Sequence, residues 1–144
     1  MKKIALVALL LAVGLGATSC CRACRAVKSK PVAGTQWALQ ELNDKVVDRQ
    51  SSDRTDRFTL TLGEDGRVSG RGDCNTFFAG YSLTDGKIAI NNIASTRMMC
   101  PNQTLEDQYF RMLESAATAD VDGEYMILRN GEGKIVASFR SVSK

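Results

Sequence analysis

The residues of this chain that could do chemistry are its five cysteines, because the 144-residue sequence contains no histidine. A cysteine can act as a nucleophile, ligate a metal ion or form a disulfide. A thiol nucleophile usually needs an adjacent base, most often histidine. The composition therefore excludes Cys–His and Ser–His–Asp mechanisms within one chain, together with histidine-ligated zinc sites.

A pair of carboxylates is another route to catalysis, as in glycosidases. The acids of this sequence are instead scattered, and most occupy turn-like positions such as Glu64, Asp65, Asp85 and Glu132. That distribution is typical of solvated surface charge, and no pair stands out. We therefore expect a protein that is not an enzyme, with no catalytic residues and no cofactor.

The stretch Met98-Met99-Cys100 suggests a soft metal, since thioether and thiolate ligands suit Cu(I). Consecutive residues of a strand point to opposite faces, however, and a bridged Cys100 would lose its thiolate. We expect no metal site. A small-ligand or soft-metal binding protein that uses the mouth of a barrel stays the alternative function.

The N-terminus is typical of a secretion signal. Two lysines precede an apolar run of about a dozen residues, shorter than the roughly 20 that a spanning helix needs. Small residues and Cys20 follow, a pattern that resembles the bacterial lipobox, with Ala17 where leucine is preferred. We expect residues 1–19 to be a lipoprotein signal peptide and Cys20 to be the acylated first residue of the mature chain. Such a protein is held on a membrane without spanning it.

Residues 20–33 are interpreted as a basic tether and residues 34–144 as one folded domain. The whole chain carries +3, but from Ala33 onward 13 Lys and Arg face 16 Asp and Glu, a net charge of −3. The basic tether favours anionic head groups, and the domain lacks the basic patch that nucleic-acid binding requires. Cys21 and Cys24 lie in the tether, where a disulfide or free thiols are favoured over a redox role.

Cys74 and Cys100 belong to the domain, and each follows a strand-like run. An exported protein meets an oxidising compartment, which favours pairing the two thiols. A bridge closing a loop of about 26 residues stabilises by roughly 3.5 kcal/mol in the chain-entropy model. That is a large share of the free energy of unfolding, which is roughly 5–15 kcal/mol for a typical domain. We therefore predict a Cys74–Cys100 disulfide.

Alternating apolar and polar residues predict strands through most of the domain. The first strand would place Trp37, Leu39 and Glu41 on one face. Three hairpins are predicted from their turn residues, which are Glu64-Asp65-Gly66, Asp85-Gly86 and Asn130-Gly131. Asp-Gly between alternating runs is a strong hairpin signal, because the primed turns need positive φ.

One segment, residues 102–118, has helical spacing instead. Asn102 or Thr104 would cap its start. Its core-facing residues would be Leu105, Tyr109, Met112, Leu113 and Ala116. The expected fold class is mostly β (α+β), a small antiparallel β-barrel-like sheet of about eight strands with one helix.

Two separated blocks of the sequence contain the residues Gly70, Cys74, Asn75, Gly80, Thr96, Arg97, Met98 and Cys100. With these signature residues, the blocks resemble the META domain, the HslJ-like family of heat-shock lipoproteins. Trp37 and the helix rich in acids and aromatics also fit, so that the resemblance covers residues 34–140. Asp73 departs from the pattern, since many members have glycine before the cysteine.

The resemblance implies an antiparallel barrel-like fold with one helix, an envelope location and, in some relatives, a link to heat or antibiotic stress. It implies no established catalytic activity. We expect an outer-membrane protein, lipid-anchored on the periplasmic face or the surface, that binds an unidentified envelope partner. For the signature side chains we favour structural roles, with Asn75 in a turn, Thr96 bonding across strands, and Arg97 pairing with Asp73 beside the bridge.

Overall fold

The computed structural model describes residues 28–47, 56–101 and 103–142, which form nine strands and one helix. The strands are β1 (Gln36–Leu42), β2 (Lys45–Val46), β3 (Phe58–Leu62), β4 (Arg67–Gly72), β5 (Asn75–Thr84), β6 (Lys87–Ser95), β7 (Ala116–Asp122), β8 (Tyr125–Asn130) and β9 (Ile135–Ser141). The helix α1 (Gln103–Ser115) lies between β6 and β7 in the chain. Among these residues, no helix combines the length and the apolar character needed to cross a bilayer.

Eight of the strands close into an antiparallel barrel, and the short β2 adds to it beside β1. The strand order is β1-β3-β4-β5-β6-β7-β8-β9, and β9 pairs back with β1. Closure leaves these eight strands without the open edges that an unclosed sheet exposes. The predicted fold class, a mostly β barrel of about eight strands with one helix, is confirmed.

The predicted hairpin turns follow from residues that tolerate positive φ. Asp85 and Gly86 have φ of 49° and 76°, as a two-residue primed turn requires. The hairpin after β8 is wider than its Asn130-Gly131 signal suggests, because β9 begins only at Ile135. There the side chain of Asn130 accepts two backbone N–H groups, and Gly133 supplies the positive φ.

The barrel interior is filled by large side chains from the strands and from α1. The aromatic residues without solvent-exposed area, or nearly so, are Trp37, Phe58, Phe77, Tyr109 and Phe139. Tyr109 extends from α1 into this cluster, with its ring centroid 5.2 Å from Phe58 and 6.0 Å from Phe77. Its hydroxyl donates to the carbonyl of Thr59 at 3.0 Å, and burial raises the pKa of Tyr109 above its usual value.

The placement predicted for Glu41 is wrong. Trp37 and Leu39 face the core, but the register of β1 against β9 shifts between Leu39 and Glu41. A bulge of this kind inserts one residue and reverses the alternation beyond it. Leu42 is therefore buried and Glu41 is exposed.

The predicted helix also extends too far at its C-terminal end. Helix α1 stops at Ser115, and Ala116 begins β7. The segment Ala116–Asp122 has only two of the β-branched and aromatic residues typical of strands, Thr118 and Val121, but pairing with β8 in a closed barrel overrides local propensity. The overlooked signal was Asp122-Gly123, the turn between β7 and β8, where Gly123 has φ of 58°.

Candidate functional site

Three segments of the chain meet around the two signature blocks: the β4–β5 turn, the loop that leaves β6, and the first turn of α1. A disulfide joins Cys74 in the turn to Cys100 in the loop, with Cα atoms 5.7 Å apart. That separation lies within the range of native bridges. We call residues 96–101 the stapled loop.

The side-chain amide of Asn75 connects all three segments. Its Oδ1 accepts the hydroxyl of Thr96 and the backbone N–H of Met98, both at 2.8 Å. Its Nδ2 donates to the Met98 carbonyl at 3.1 Å and to Glu106 Oε2 at 2.8 Å. Asn75 is buried, and these four bonds use the full capacity of an amide. The stapled loop is therefore fixed by hydrogen bonds as well as by the bridge.

Thr96 ties the start of the stapled loop to β5. Its backbone N–H donates to the Thr76 carbonyl at 3.0 Å, and its Oγ1 accepts the Thr76 N–H at 3.2 Å. The hydroxyl also donates to Asn75. Through this side chain, the pairing between β5 and β6 continues for one more step into the loop.

Glu106 is the buried acid of the site, with 1% of its surface exposed. Its Oε2 accepts Asn75 Nδ2, and also Gln103 Nε2 at 3.3 Å. The sulfur of Cys100 lies 3.8 Å from both carboxylate oxygens, but a bridged sulfur carries no hydrogen to donate. Among the described residues, Glu106 Oε1 thus has no hydrogen-bond donor. Glu106 lies in the first turn of α1, where the helix dipole is positive.

The pairing predicted between Asp73 and Arg97 is wrong. Arg57 directs Nε and Nη2 to Asp73 Oδ1, at 2.8 and 2.6 Å. Arg57 immediately precedes β3. The first residue of β3, Phe58, pairs with Gly72 at the end of β4, and this pairing places Arg57 beside the β4–β5 turn. Asp73 has φ of 55°, a left-handed conformation that glycine adopts freely and aspartate tolerates.

Two methionines are exposed where the stapled loop turns outward. Met99 is 99% exposed and Met98 is 55% exposed. Between this loop and α1 lies a cavity of about 390 Å³, whose walls include Asn75, Thr96, Arg97, Met98, Glu106 and Phe110. Because Cys100 is bridged, the thiolate that a soft metal would need is absent here. The described residues contain no group of three or more His, Cys, Asp or Glu side chains able to hold a metal.

The signature glycines lie away from this site and allow close packing within the sheet. A Cβ on Gly70 would fall 2.1 Å from the Thr59 carbonyl and 2.7 Å from the ring of Phe77. A Cβ on Gly80 would fall 3.3 Å from Asn91 Oδ1. The structure thus brings Asn75, the bridge and the stapled loop together and leaves the two glycines in β4 and β5.

Sequence reasoning missed Glu106, Gln103 and Arg57 as members of the site. Glu106 lies three residues before Tyr109 on the same face of α1, so the helical period could have identified it as core-facing. The predicted lipidation site Cys20, the tether residues Cys21 and Cys24, and the proposed capping residue Asn102 lie outside the described residues.

The fold and the stapled loop define a small closed β-barrel with one inserted helix. Residues 30–143 match the family model of the META domain. The chain therefore belongs to the META family, which confirms the resemblance carried by the two signature blocks.

Solved structures of similar fold include an NMR structure of a protein from Burkholderia xenovorans, with 27% identity and a TM-score of 0.62. That match covers 78% of this chain and 85% of the other. A second NMR structure has 26% identity and a TM-score of 0.57, over 74% and 87% of the two chains. A crystal structure of a DUF4847 family protein from Bacteroides vulgatus has 15% identity and a TM-score of 0.56, and the match covers 78% of this chain and 96% of the other. At this low identity the similarity shows the fold alone. No curated protein matches the chain.

Proposed function

We propose that this chain is a lipid-anchored, non-enzymatic protein of the bacterial envelope whose META domain binds a partner protein through the stapled loop. The observation that carries this proposal is the exposure of Met98 and Met99 on a loop held by a disulfide and by the Asn75 network. Methionine is flexible and polarizable, and it is common at binding surfaces. A loop that is already ordered loses little further entropy on binding, which favours its use as a docking element.

The anchor is the second part of the proposal. Cys20 follows a signal-like apolar run and small residues, and acylation there would place the domain at a membrane surface. The basic residues of the tether would add attraction to anionic head groups, on the order of 1 kcal/mol each. An outer-membrane location and a role in heat or antibiotic stress are supported by the resemblance to heat-shock lipoproteins.

A non-enzymatic role is supported by the chemistry of the residues. The sequence has no histidine, and the two cysteines of the domain are paired with each other. The buried acid Glu106 is hydrogen-bonded to Asn75 and Gln103 within the fold. Belonging to the META family is consistent with this reading.

The alternative, a ligand or soft metal held at the barrel mouth, receives less support. The barrel interior is occupied by aromatic side chains, and Tyr109 from α1 is packed among them without exposed surface. A ligand there would have to displace close-packed core residues, which is costly. Ligand chemistry is better placed in the cavity outside the barrel, beside the stapled loop.

Crosslinked pull-down from intact envelopes under heat and antibiotic stress tests the proposal. We expect a partner that crosslinks to the unaltered chain and is recovered at least about fivefold less with the double variant Met98→Ser, Met99→Ser, since contact residues at the centre of an interface dominate binding. Val46→Ser is the matched control, because Val46 is 82% exposed and lies on β2. Equal recovery with both variants would overturn the role of the loop.

A further inference from the structure

The cavity beside the stapled loop has mostly polar walls, which include a buried acid and three apolar side chains. Glu106 forms part of its wall, and the exposed side chains of Met98 and Met99 lie at its margin with the ring of Phe110. A volume of about 390 Å³ lies within the range of small-ligand sites. The cavity is thus large enough for a short chain with one polar end.

The unpartnered oxygen of Glu106 points to the chemistry of that polar end. Oε2 accepts hydrogen bonds from Asn75 and Gln103, whereas Oε1 has no donor among the described residues and lies near Gly72 and the bridged sulfur of Cys100. A buried carboxylate oxygen without a donor is costly, at a level comparable to a lost hydrogen bond or more. A group that donates hydrogen bonds and carries positive charge would satisfy it most strongly.

The charges around the cavity also favour a cation. Asp107 supplies a second carboxylate, and Gln103 connects the two acids by donating to Asp107 Oδ1 at 3.2 Å and to Glu106. Arg97 is the one cationic side chain in the described wall, so the acids outnumber it. Asn75 and Thr96 already use their polar atoms within the network and leave Glu106 as the open acceptor.

The three apolar side chains in the wall, Met98, Met99 and Phe110, restrict the class of cation. Phe110 can face a cation with its ring, and methionine side chains pack well on a flexible methylene chain. An ammonium group on an alkyl stem would use both the acid and these apolar side chains. The three N–H donors of an ammonium can reach more than one acceptor.

We infer that this cavity binds a primary alkylammonium group, of the kind that ends a lysine side chain. The inference deepens the proposed function, because it rests on the same loop and assigns a lysine of the partner to the cavity. A free amine offers the same chemistry, and the two sources are separated by the probes used. Binding of small amines can be measured without any partner, so the two proposals fail independently.

The test is a two-dimensional NMR titration of the ¹⁵N-labelled domain, attached to its natural tether, with n-butylammonium and with n-butanol as the neutral probe of matching size. We expect butylammonium to shift the amide signals of residues 96–101 and of the first turn of α1, with an affinity at least about tenfold above that of butanol, since hydrogen bonds to charged groups dominate such sites. Equal shifts from both probes, or none from butylammonium at tens of millimolar, would overturn the inference. This comparison uses the unaltered chain and needs no variant to fold.

Two variants sharpen the result. Glu106→Gln keeps the shape of the side chain and removes its charge, and it should weaken butylammonium binding at least about tenfold while leaving butanol unchanged. Asp107→Asn removes the neighbouring exposed charge and should weaken binding by less than about threefold, because exposed charges are screened. Unchanged binding by a folded Glu106→Gln variant would contradict the site.

A last comparison separates the sources of the ammonium group. Nα-acetyl-lysine amide carries the side chain in a peptide-like setting, and 1,4-diaminobutane is a free amine. We expect the lysine derivative to shift the same signals as butylammonium, as a partner lysine requires. Binding of diaminobutane without binding of the lysine derivative would keep the ammonium site but overturn its assignment to a partner lysine.

Discussion

Asn75 orders the stapled loop because an amide alone offers both donors and acceptors of the required kind. Its Oδ1 receives Thr96 and the Met98 N–H, and its Nδ2 serves the Met98 carbonyl and Glu106. Aspartate would keep the acceptor but would set a second carboxylate beside Glu106, and leucine would supply no polar atom. Each bond is worth about 0.5–1.5 kcal/mol net, but leaving the buried partners unsatisfied costs more than the bonds contribute.

Tyr109 makes the stability of the domain sensitive to alkaline pH. Burial raises its pKa, whereas in the unfolded chain the phenol titrates near its usual pKa of 10. Above that pH the unfolded state loses a proton that the folded state keeps, so stability is complete below about pH 10 and falls as pH rises, by up to about 1.4 kcal/mol per pH unit. We expect Tyr109→Phe to reduce this dependence, measured by urea unfolding between pH 8 and pH 11.

The same substitution has a separate effect at neutral pH. Removing the hydroxyl leaves the Thr59 carbonyl without its donor, at a cost of about 1–3 kcal/mol, so wild type and variant should converge as pH rises. Tyr81 contributes in the same direction, since burial and then the charges of Asp65 and Glu64 raise its pKa. Tyr125→Phe, at a half-exposed position, is the control for the loss of a phenol hydroxyl. Parallel curves for Tyr109→Phe and wild type would contradict this account.

At the residue scale, the sequence predicted which residues belong to the site better than it predicted which side chains they contact. The two signature blocks identified Asn75, Thr96 and the cysteines, because these residues carry the resemblance to the META family. The partners of a side chain depend on the register between strands that are distant in the chain, and this register cannot be deduced from local sequence patterns. Arg57 was therefore not predicted as the partner of Asp73, and Glu106 was not predicted as the acid that accepts the Asn75 amide.

At the scale of elements, hairpins were predictable wherever alternation and a turn signal occurred together. β3, β5, β6 and β9 carry both apolar alternation and adjacent turn residues. β7 carries three alanines and two aspartates, and its strand conformation depends on β8 beside it. Local propensity could not reveal that dependence, so the end of α1 was predicted too late.

The bridge between the β4–β5 turn and the stapled loop should supply a measurable part of the domain's stability. Replacing both Cys74 and Cys100 by serine should cost about 2–5 kcal/mol in the free energy of unfolding, the usual loss for a native bridge in a small exported domain. Chemical denaturation measures the difference. The control, Cys21→Ser with Cys24→Ser, changes two cysteines of the tether and should have no effect.

Peptide mapping without reductant checks the same bridge directly. We expect one crosslinked peptide that contains Cys74 and Cys100 in protein isolated from the envelope. Free thiols at both positions, or Cys74 joined to Cys21 or Cys24, would show that the bridge does not form in the exported protein. Soft-metal binding by Cys100 would then become possible again.

Close packing between β3, β4 and β5 depends on Gly70. An added Cβ would meet the Thr59 carbonyl at 2.1 Å, and backbone in a sheet cannot yield as a flexible side chain can. We expect Gly70→Ala to destabilise the domain by at least about 2 kcal/mol through overpacking, as measured by thermal or urea unfolding. Gly131→Ala has open space around its Cβ and should change stability by less than about 0.5 kcal/mol. Similar stabilities for the two variants would contradict the role of Gly70.

At the scale of the whole molecule, the fold class followed from a series of hairpins, but closure did not. β1 pairs with β9, so that Trp37 lies opposite Ser141 at the other end of the domain. No local sequence pattern predicts the pairing of two strands that lie so far apart in the chain. The clue is energetic, because an open sheet of this many strands would leave two exposed edges.

The proposed anchor and the barrel should behave as independent parts of the molecule. Cys20→Ala removes the acylation site and should move the protein from the membrane fraction to the soluble fraction, because the tether charges alone bind a membrane only weakly. Fractionation of cells with and without the change measures this. Cys21→Ala is the matched control and should stay in the membrane fraction.

The same variant separates anchoring from folding. Since the described strands and α1 involve no contact that acylation would supply, the free energy of unfolding should be equal for Cys20→Ala and for a wild-type chain extracted in detergent. Partition of Cys20→Ala into the membrane fraction would remove the anchor from the proposed function. The barrel and its stapled loop would then act on a membrane by another means, and the partner found by crosslinking would be the next candidate for that attachment.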